Sequence, residues 1–430
     1  MENNAQCLAT SRTARILALL LLFMLPAPVQ AQFNYTVTSG AITITKYTGS
    51  DRLVTISNTM YVNGWGYLPV ICIGDQAFSG CESMTNVTIG TNVTSIGYET
   101  FDDCISLKSI AIPNSVTNIG DYAFGQCTSL TNITISTNVT SIANFEFWDC
   151  TSLPNVTIPN GVTSIGYDAF FFCPKLTSVP IPNSVANIGE AAFVASGLTS
   201  VTIPQNVTSI GHVAFGQCAS LPAITVDINN PVYSSLNGIL FDKNLTTLIQ
   251  YPAGKTGISY TVPASVTSIG ADAFDYCTNL TNVMIGTSVT SIGDQAFYCC
   301  TNLTSVYFQG NTPTPSNDLP VFYADNNATI YYLPGTTGWV STFDGRPVAL
   351  WLLPNPLILN YEPNFGMQTN GFGFIISWAT NIAVVVEATT NLTNPVWQPV
   401  QTNTLASGSS YFSDSQRTNY PARFYRLRSP

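Results

Sequence analysis

The chain has 430 residues, 45% of them hydrophobic and only 8% charged, with a formal charge of −10 at pH 7. That apolar content excludes a disordered chain, and thirteen Lys and Arg in all cannot furnish the basic face that nucleic-acid binding needs. A single histidine, His212, rules out zinc sites built on several imidazoles and strains any Ser-His-Asp hydrolase.

The first element is a targeting segment. Arg12 and Arg15 precede the apolar run Ile16 to Leu25, followed by Pro26, Pro28 and the small-residue pattern Val29-Gln30-Ala31. This reads as a secretory signal over residues 1–31, cleaved after Ala31. Ten apolar residues are too few for a permanent membrane anchor, and no later run has the length of a span. Cleavage leaves a chain of charge −11.

From residue 73 a repeat dominates. Phe78, Phe101, Phe124, Phe147, Phe170 and Phe193 follow one another at steps of 23 residues, and the series resumes at Phe215, Phe274 and Phe297. An Ile column moves with them (Ile73, Ile96, Ile119, Ile142, Ile165, Ile188), with Gly after each except Ile142, which precedes Ala143. Cysteines sit three residues past the Phe, from Cys81 to Cys300, and only the Phe193 repeat lacks one. In the unit Cys104 to Cys127, the alternation at Leu107, Ile110 and Ile112 predicts a strand, and Pro113-Asn114 predicts a turn. Val116 and Ile119 form a second short apolar edge, and Asp121 is placed to cap the turn carrying Ala123 and Phe124. One unit cannot bury its own edge, whereas stacked units bury like on like. Some eleven coils at a strand spacing of about 4.8 Å make a body of roughly 50 Å.

The pattern C-x-x-L-x-x-V/I-x-I-P-x-x-V-x-x-I-G-x-x-A-F resembles the bacterial leucine-rich repeat of the BspA type over residues 73–302, with one interruption. The resemblance implies a repeat solenoid, mainly β, in a secreted or cell-surface protein that binds host proteins or other cells. Residues 32–72, with "AITITKYTGS" (Ala41 to Ser50), read as the irregular N-terminal cap, and 73–350 as the solenoid. The interruption, at about 222–265, predicts a hairpin projecting from the stack, formed by Gly238 to Phe241 and Thr246 to Tyr251 around Asp242-Lys243-Asn244.

After Leu303 the period decays into a closing coil, which solenoids need to shield their last apolar face. Pro354 and Pro356 mark a linker over 351–370. Phe374 to Trp378, Ala383 to Glu387 and Phe424 to Arg428 then predict a small all-β sandwich over 371–430, which resembles fibronectin type III-like modules of large secreted bacterial proteins.

The chemical candidates are few. The Cys column reads as buried free thiols, with stacked disulfides the alternative. Asp75, Asp121, Glu190 and Asp294 share one slot after Gly, Asp272 lies one residue further on, and all five read as turn residues. His212 fills that slot once, as an exposed residue; Asp414, Arg417 and Arg423 read as surface charges. A Thr column (Thr94, Thr117, Thr140, Thr163, Thr208, Thr267, Thr290) faces outward, either as solvated strand residues or as a hydroxyl row for a flat periodic ligand. The recurrent Asn-x-Thr triplets, such as Asn86, Asn132 and Asn155, arise from the repeat phrase.

No catalytic constellation, metal site, calcium loop or cofactor site is read. The leading expectation is a non-enzymatic, secreted or surface-displayed scaffold that binds proteins or cell-surface and matrix macromolecules. Tyr98, Tyr122, Tyr167, Phe171, Phe172, Tyr276 and Tyr298 are its candidate contact aromatics. The alternative is a self-associating surface-layer or matrix protein. A carbohydrate-binding protein or carbohydrate-active enzyme ranks third, on Trp65, Trp148, Trp339, Trp378 and Trp397.

Overall fold

The computed structural model describes residues 32–315, 318–351, 353–360, 364–369 and 371–429. The predicted signal segment, 1–31, lies outside them. The solenoid is built as the repeat demands. Two strands per coil pair in parallel with their counterparts one coil away, so that Ile73 lies beside Ile96, and Ile96 beside Ile119. On the second face Val54, Val87, Ile110 and Ile133 are in register. Among the described residues no α-helix occurs, and none is long and apolar enough to cross a membrane.

The Phe column forms a continuous stack. Phe78, Phe101, Phe124, Phe147, Phe170, Phe193 and Phe215 follow at centroid separations of 5.1, 5.6, 5.7, 5.2, 5.3 and 5.5 Å. Every one of these rings is fully buried. Offset stacking at these distances adds about 0.5–1.5 kcal/mol per pair beyond area burial. Phe33 and Tyr47 close the N-terminal end against Phe78. At the other end the column runs through Phe297 to Phe322, which Phe343 covers edge-on while Trp339 packs on Phe308.

The column cysteines are free thiols. The stack explains why. Each Sγ donates to the Phe carbonyl of the coil before: Cys104 to Phe78, Cys127 to Phe101, Cys150 to Phe124 and Cys173 to Phe147, all at 3.2 Å. Burial pushes the Cys173 thiol up to about 12 and that of Cys218 up to about 11. A buried, protonated thiol is neither nucleophile nor easily oxidised. A thiol reagent applied to the folded chain should therefore modify the partly exposed Cys72, Cys81 and Cys299 and spare the buried column. Rapid labelling of Cys127 or Cys150 before unfolding, read by peptide mapping, contradicts this arrangement.

The interruption does not project. Strands Tyr233–Leu236, Ile239–Asp242 and Thr247–Gln250 form an antiparallel meander, turned at Asn237-Gly238 with both φ positive. Its last strand then pairs in parallel with Ser268–Ile269, placing Leu248 beside Ile269. Tyr251 takes the Phe position, 5.4 Å from Phe274. Three consecutive apolar residues, Ile239-Leu240-Phe241, predict burial on both faces. Leu240 indeed belongs to the first core, and Ile239 and Phe241 to the second. The insertion is a partition between two core segments. Here the ladder lacks a backbone acceptor for Phe215, and the buried Gln250 side chain accepts its N–H (3.2 Å).

One coil is irregular. In the slot after the column Ile, Gly97, Gly120, Gly166 and Gly189 donate their N–H to the Ile carbonyl one coil earlier, at 2.8–3.0 Å. A Cβ there meets backbone: on Gly120 it would lie 2.6 Å from the Gly97 carbonyl carbon. Ala143 carries that Cβ, and its N–H is accepted instead by Glu146 Oε2 (2.7 Å). Among the described residues no strand pairing joins Asn118–Ile119 to Ser141–Ile142. The Ile sheet therefore stops and restarts at this interface.

The C-terminal region folds as two facing sheets. One holds Leu357–Leu359, Gly366–Gln368, Gly371–Ser377 and Ser409–Asp414; the other holds Ile382–Thr389, Gln398–Leu405 and Phe424–Arg428. Phe374, Ile376, Val384, Val386, Leu405 and Phe412 form the core between them. Two of these strands fall within 351–370, so we propose that the unit begins near Leu357. Asp414 is not a surface charge. It is buried, bonded to the Tyr425 hydroxyl (2.8 Å) and paired with Arg423 (3.1 Å), which together satisfy a carboxylate cut off from water.

Candidate functional site

The corner of each coil that carries the Phe has its own backbone geometry. The residues two before and two after the Phe lie at φ between 50° and 60° in coil after coil: Glu99 and Asp103, Tyr122 and Gln126, Phe145 and Asp149, Asp168 and Phe172. Only Gly80 places a glycine there. The left-handed residue turns the chain so that N–H groups point toward the next coil. Tyr122, Phe124 and Gln126 donate to the carbonyls of Asn144, Glu146 and Trp148 at 3.0, 3.0 and 2.7 Å. A third ladder thus runs along the turns, beside the two of the strands.

Four side chains per coil flank the buried Phe at this corner: those two and three residues before it and one and two after it. The sequence-derived aromatics all fall in these slots. Tyr98, Tyr167, Phe172 and Tyr276 are exposed by 43, 40, 48 and 36%, and Tyr122, Phe171 and Tyr298 are half-buried. The structure brings Tyr98, Tyr122, Tyr167, Tyr276 and Tyr298 together in two ridges, whereas Phe171 and Phe172, in the same coil as Tyr167, make no ring contact among the described residues. The first runs Tyr98, Tyr122, Phe145, Tyr167, at centroid separations of 6.0, 4.1 and 5.0 Å, with Trp148 edge-on to Tyr122. The second runs Tyr276, Tyr298, Tyr323 at 5.5 and 5.6 Å. Phe145 and Tyr323 are not among the sequence candidates, and Trp148 stands there only as a sugar-stacking residue. The signal that finds them is distance from the column Phe, since each lies within two residues of it.

The slot after Gly does more than shape a turn. Asp75 Oδ1 accepts the N–H of Tyr98 in the next coil (2.9 Å), Asp121 Oδ1 that of Asn144 (3.1 Å), and Asn144 Oδ1 that of Tyr167 (2.9 Å). Asp121 therefore bridges coils and does not cap its own turn. The Thr column is likewise spent: Thr117, Thr163 and Thr290 hydroxyls donate to the carbonyls of Thr94, Thr140 and Thr267 at 3.1–3.4 Å. Six of the seven hydroxyls of the column, all but that of Thr140, donate in this way, which leaves the row little donor capacity for a flat ligand. His212 is exposed.

Several acids are withdrawn from water at the same corner. Burial raises Asp102, next to Glu99 and Asp103, to about 6. Burial also raises Asp168 to about 6, and Asp275 to about 7 with a contribution from Asp272. Glu146, fully buried, rises to about 8. Among the described residues no group of three or more His, Cys, Asp or Glu is placed to hold a metal ion.

A second concavity of about 400 Å³ lies on the C-terminal unit, lined by Phe365, Phe372, Trp397, Phe424 and Tyr425, with the Arg426 guanidinium 4.6 Å over the Trp397 ring.

Parallel strands stacked coil on coil around a single apolar column define a leucine-rich repeat solenoid. The chain belongs to the family described as the BspA type leucine rich repeat region, whose profile matches residues 71–196, 188–258 and 253–337. It is similar to a leucine rich cell surface protein from Faecalibacterium prausnitzii A2-165, with 32% identity over 71% of this chain and 88% of that one, at a TM-score of 0.61. The T. pallidum leucine rich repeat protein is 30% identical over 46% of this chain and 90% of its own, at 0.39. The pneumococcal vaccine antigen PcpA is 22% identical over 71% and 75%, at 0.49. No curated protein matches the chain.

Proposed function

We propose that the chain is an exported protein-interaction scaffold, secreted or displayed at the cell surface, and that its partners dock on the aromatic ridges of the turn corner. The repeat family and the cell surface relative support the scaffold class. The observation that carries the site is backbone strain. Tyr122, Phe145, Phe172 and Tyr276 are bulky side chains held at φ of 53–58°, where glycine or asparagine is at ease. Such residues cost about 1–3 kcal/mol each and gather where function needs a side chain presented. An exposed Phe172 contributes little to the core in return.

Phe172→Asn tests this directly. It should stabilise the fold by about 1 kcal/mol through relief of strain and weaken partner capture. A photo-crosslinking residue at 172, on intact cells, should couple to a partner that Phe172→Asn releases. Loss of stability together with unchanged capture overturns the reading. Crosslinks only to other copies of this chain transfer it to a self-associating matrix protein.

A further inference from the structure

The same corner carries a charge pattern that says what its partner looks like. Residues 32–350 hold nineteen acidic side chains and seven basic ones. Eleven of those acids occupy the four slots flanking the column rings, and no Lys or Arg does. The aromatic corner from Tyr98 to Phe172 is interleaved with them. Glu99 and Asp103 follow Tyr98, Asp149 follows Trp148, and Asp168 follows Tyr167. Burial raises Asp102 and Asp168, with Glu99 and Asp103 adding to the rise of the first and Glu190 to that of the second. The Tyr98 hydroxyl lies against the Glu99 carboxylate, which pushes it up to about 12. This is a row of like charges without counter-ions from its own chain, set between ring faces.

Resting on the scaffold reading above, we propose that the corner from Tyr98 to Phe172 docks an arginine- and lysine-rich polypeptide segment laid along the stack. Each half of the pattern recognises the same group. Guanidinium and ammonium ions sit over Tyr, Phe and Trp faces by attraction to the ring quadrupole. The flanking carboxylates pair with their N–H donors, bidentately in the case of Arg. An extended segment advances about 3.3 Å per residue, against about 4.8 Å per coil. Three residues, about 9.9 Å, nearly match two coils, about 9.6 Å, so cationic side chains on every third residue meet alternate coils. Like-charge repulsion along the corner is relieved by the occupant, which gives the site its selectivity against acidic or neutral segments.

The test uses the full mature chain and defined probes: octapeptides of arginine, lysine and glutamate, titrated calorimetrically at low and high salt. The arginine peptide should bind more tightly than the lysine peptide, the glutamate peptide should not bind, and affinity should fall as salt screens the carboxylates. Glu99→Gln with Asp103→Asn and Asp149→Asn should weaken the arginine peptide about tenfold. Asn is tolerated at the left-handed positions 103 and 149, so the fold survives. Tyr98→Ser with Phe172→Asn should weaken it comparably without any change of charge. Removing three exposed acids elsewhere, as Asp51→Asn, Glu82→Gln and Asp318→Asn, should cost no more than about twofold. Equal losses from the two acid triples, or no loss from the aromatic pair, reduce the interaction to general attraction by an acidic protein and overturn the proposal. A partner crosslinked from position 172 whose contacting segment holds no Arg or Lys overturns it too, while leaving the scaffold reading standing.

Discussion

Replacing Phe124 by Ala should destabilise the solenoid by about 3–5 kcal/mol, the largest loss expected of a single change. The ring is fully buried between Phe101 at 5.6 Å and Phe147 at 5.7 Å. Its removal takes away transfer free energy, leaves a cavity, and breaks two stacking contacts together. Because each coil touches only its neighbours, the loss falls on two adjacent interfaces and the array has no distant contact with which to compensate. The urea transition should move to lower concentration and broaden as the halves on either side melt apart. A shift worth less than about 1 kcal/mol shows that the rings do not form a load-sharing column.

The second large effect is on pH dependence, through Glu146. Other coils place Ala in this position before the Phe, at Ala77, Ala123, Ala169 and Ala192. Burial raises the Glu146 carboxyl from 4.5 to about 8, against the opposing hydrogen bond from the Ala143 N–H. The folded chain thus holds a proton that the unfolded chain releases. The stability this contributes is complete below pH about 4.5 and is lost as pH rises through 8. The full swing is on the order of 4 kcal/mol. Asp102, Asp168, Asp275 and Asp325, raised by burial to about 6 or 7, act with the same sign over a lower window. Glu387, held low by hydrogen bonds from Arg428 and Arg426, acts the other way. The melting temperature should accordingly rise from pH 8 to pH 5. Glu146→Gln keeps an acceptor for the Ala143 N–H and should flatten that profile, chiefly by stabilising the fold at pH 8. The double change Ala143→Gly with Glu146→Ala restores the repeat at both positions. It should be more stable still, with the amide of residue 143 exchanging its Glu146 acceptor for the Ile119 carbonyl, as at Gly120, Gly166 and Gly189. An unchanged pH profile in Glu146→Gln contradicts the assignment.

The period of the Phe, Ile and Cys columns made the solenoid legible, because burying like on like leaves an unmistakable spacing. The partition is illegible because Leu248 and Tyr251 stand where the repeat elsewhere writes Ile and Phe, and they are three residues apart where the repeat has five; replacement and a shortened spacing together hide a coil that the packing accepts. The turn ladder was not legible at all. Left-handed positions usually announce themselves through Gly or Asn, and here they hold Tyr, Phe, Asp, Gln and Glu. For the same reason Phe145 is absent from the sequence candidates, and Trp148 stands among them only as a sugar-stacking residue. Asp414 was taken for a surface charge because its partners, Arg423 and Tyr425, reach it from across a strand turn whose course the local sequence does not reveal.

The break in the Ile sheet at Ala143 has a mechanical corollary. From Ile73 to Ile119 and from Ile142 to Ile210 a coil can leave its neighbour only by shearing backbone hydrogen bonds on its strands as well as its turns; the Ile sheet breaks a second time at the partition, between Ser209–Ile210 and Thr247–Gln250. Between Ile119 and Ile142 the Ile strands supply none, and the two halves are joined there by the turn corner, the buried rings and the edge of the second sheet. A rod of this kind, tugged from both ends in a force spectrometer, should part at that joint or at the partition, where the sheets and the core are also divided, and yield stubs of defined length. Restoring glycine at 143 together with alanine at 146 should remove the first of these breaking points and leave the one at the partition.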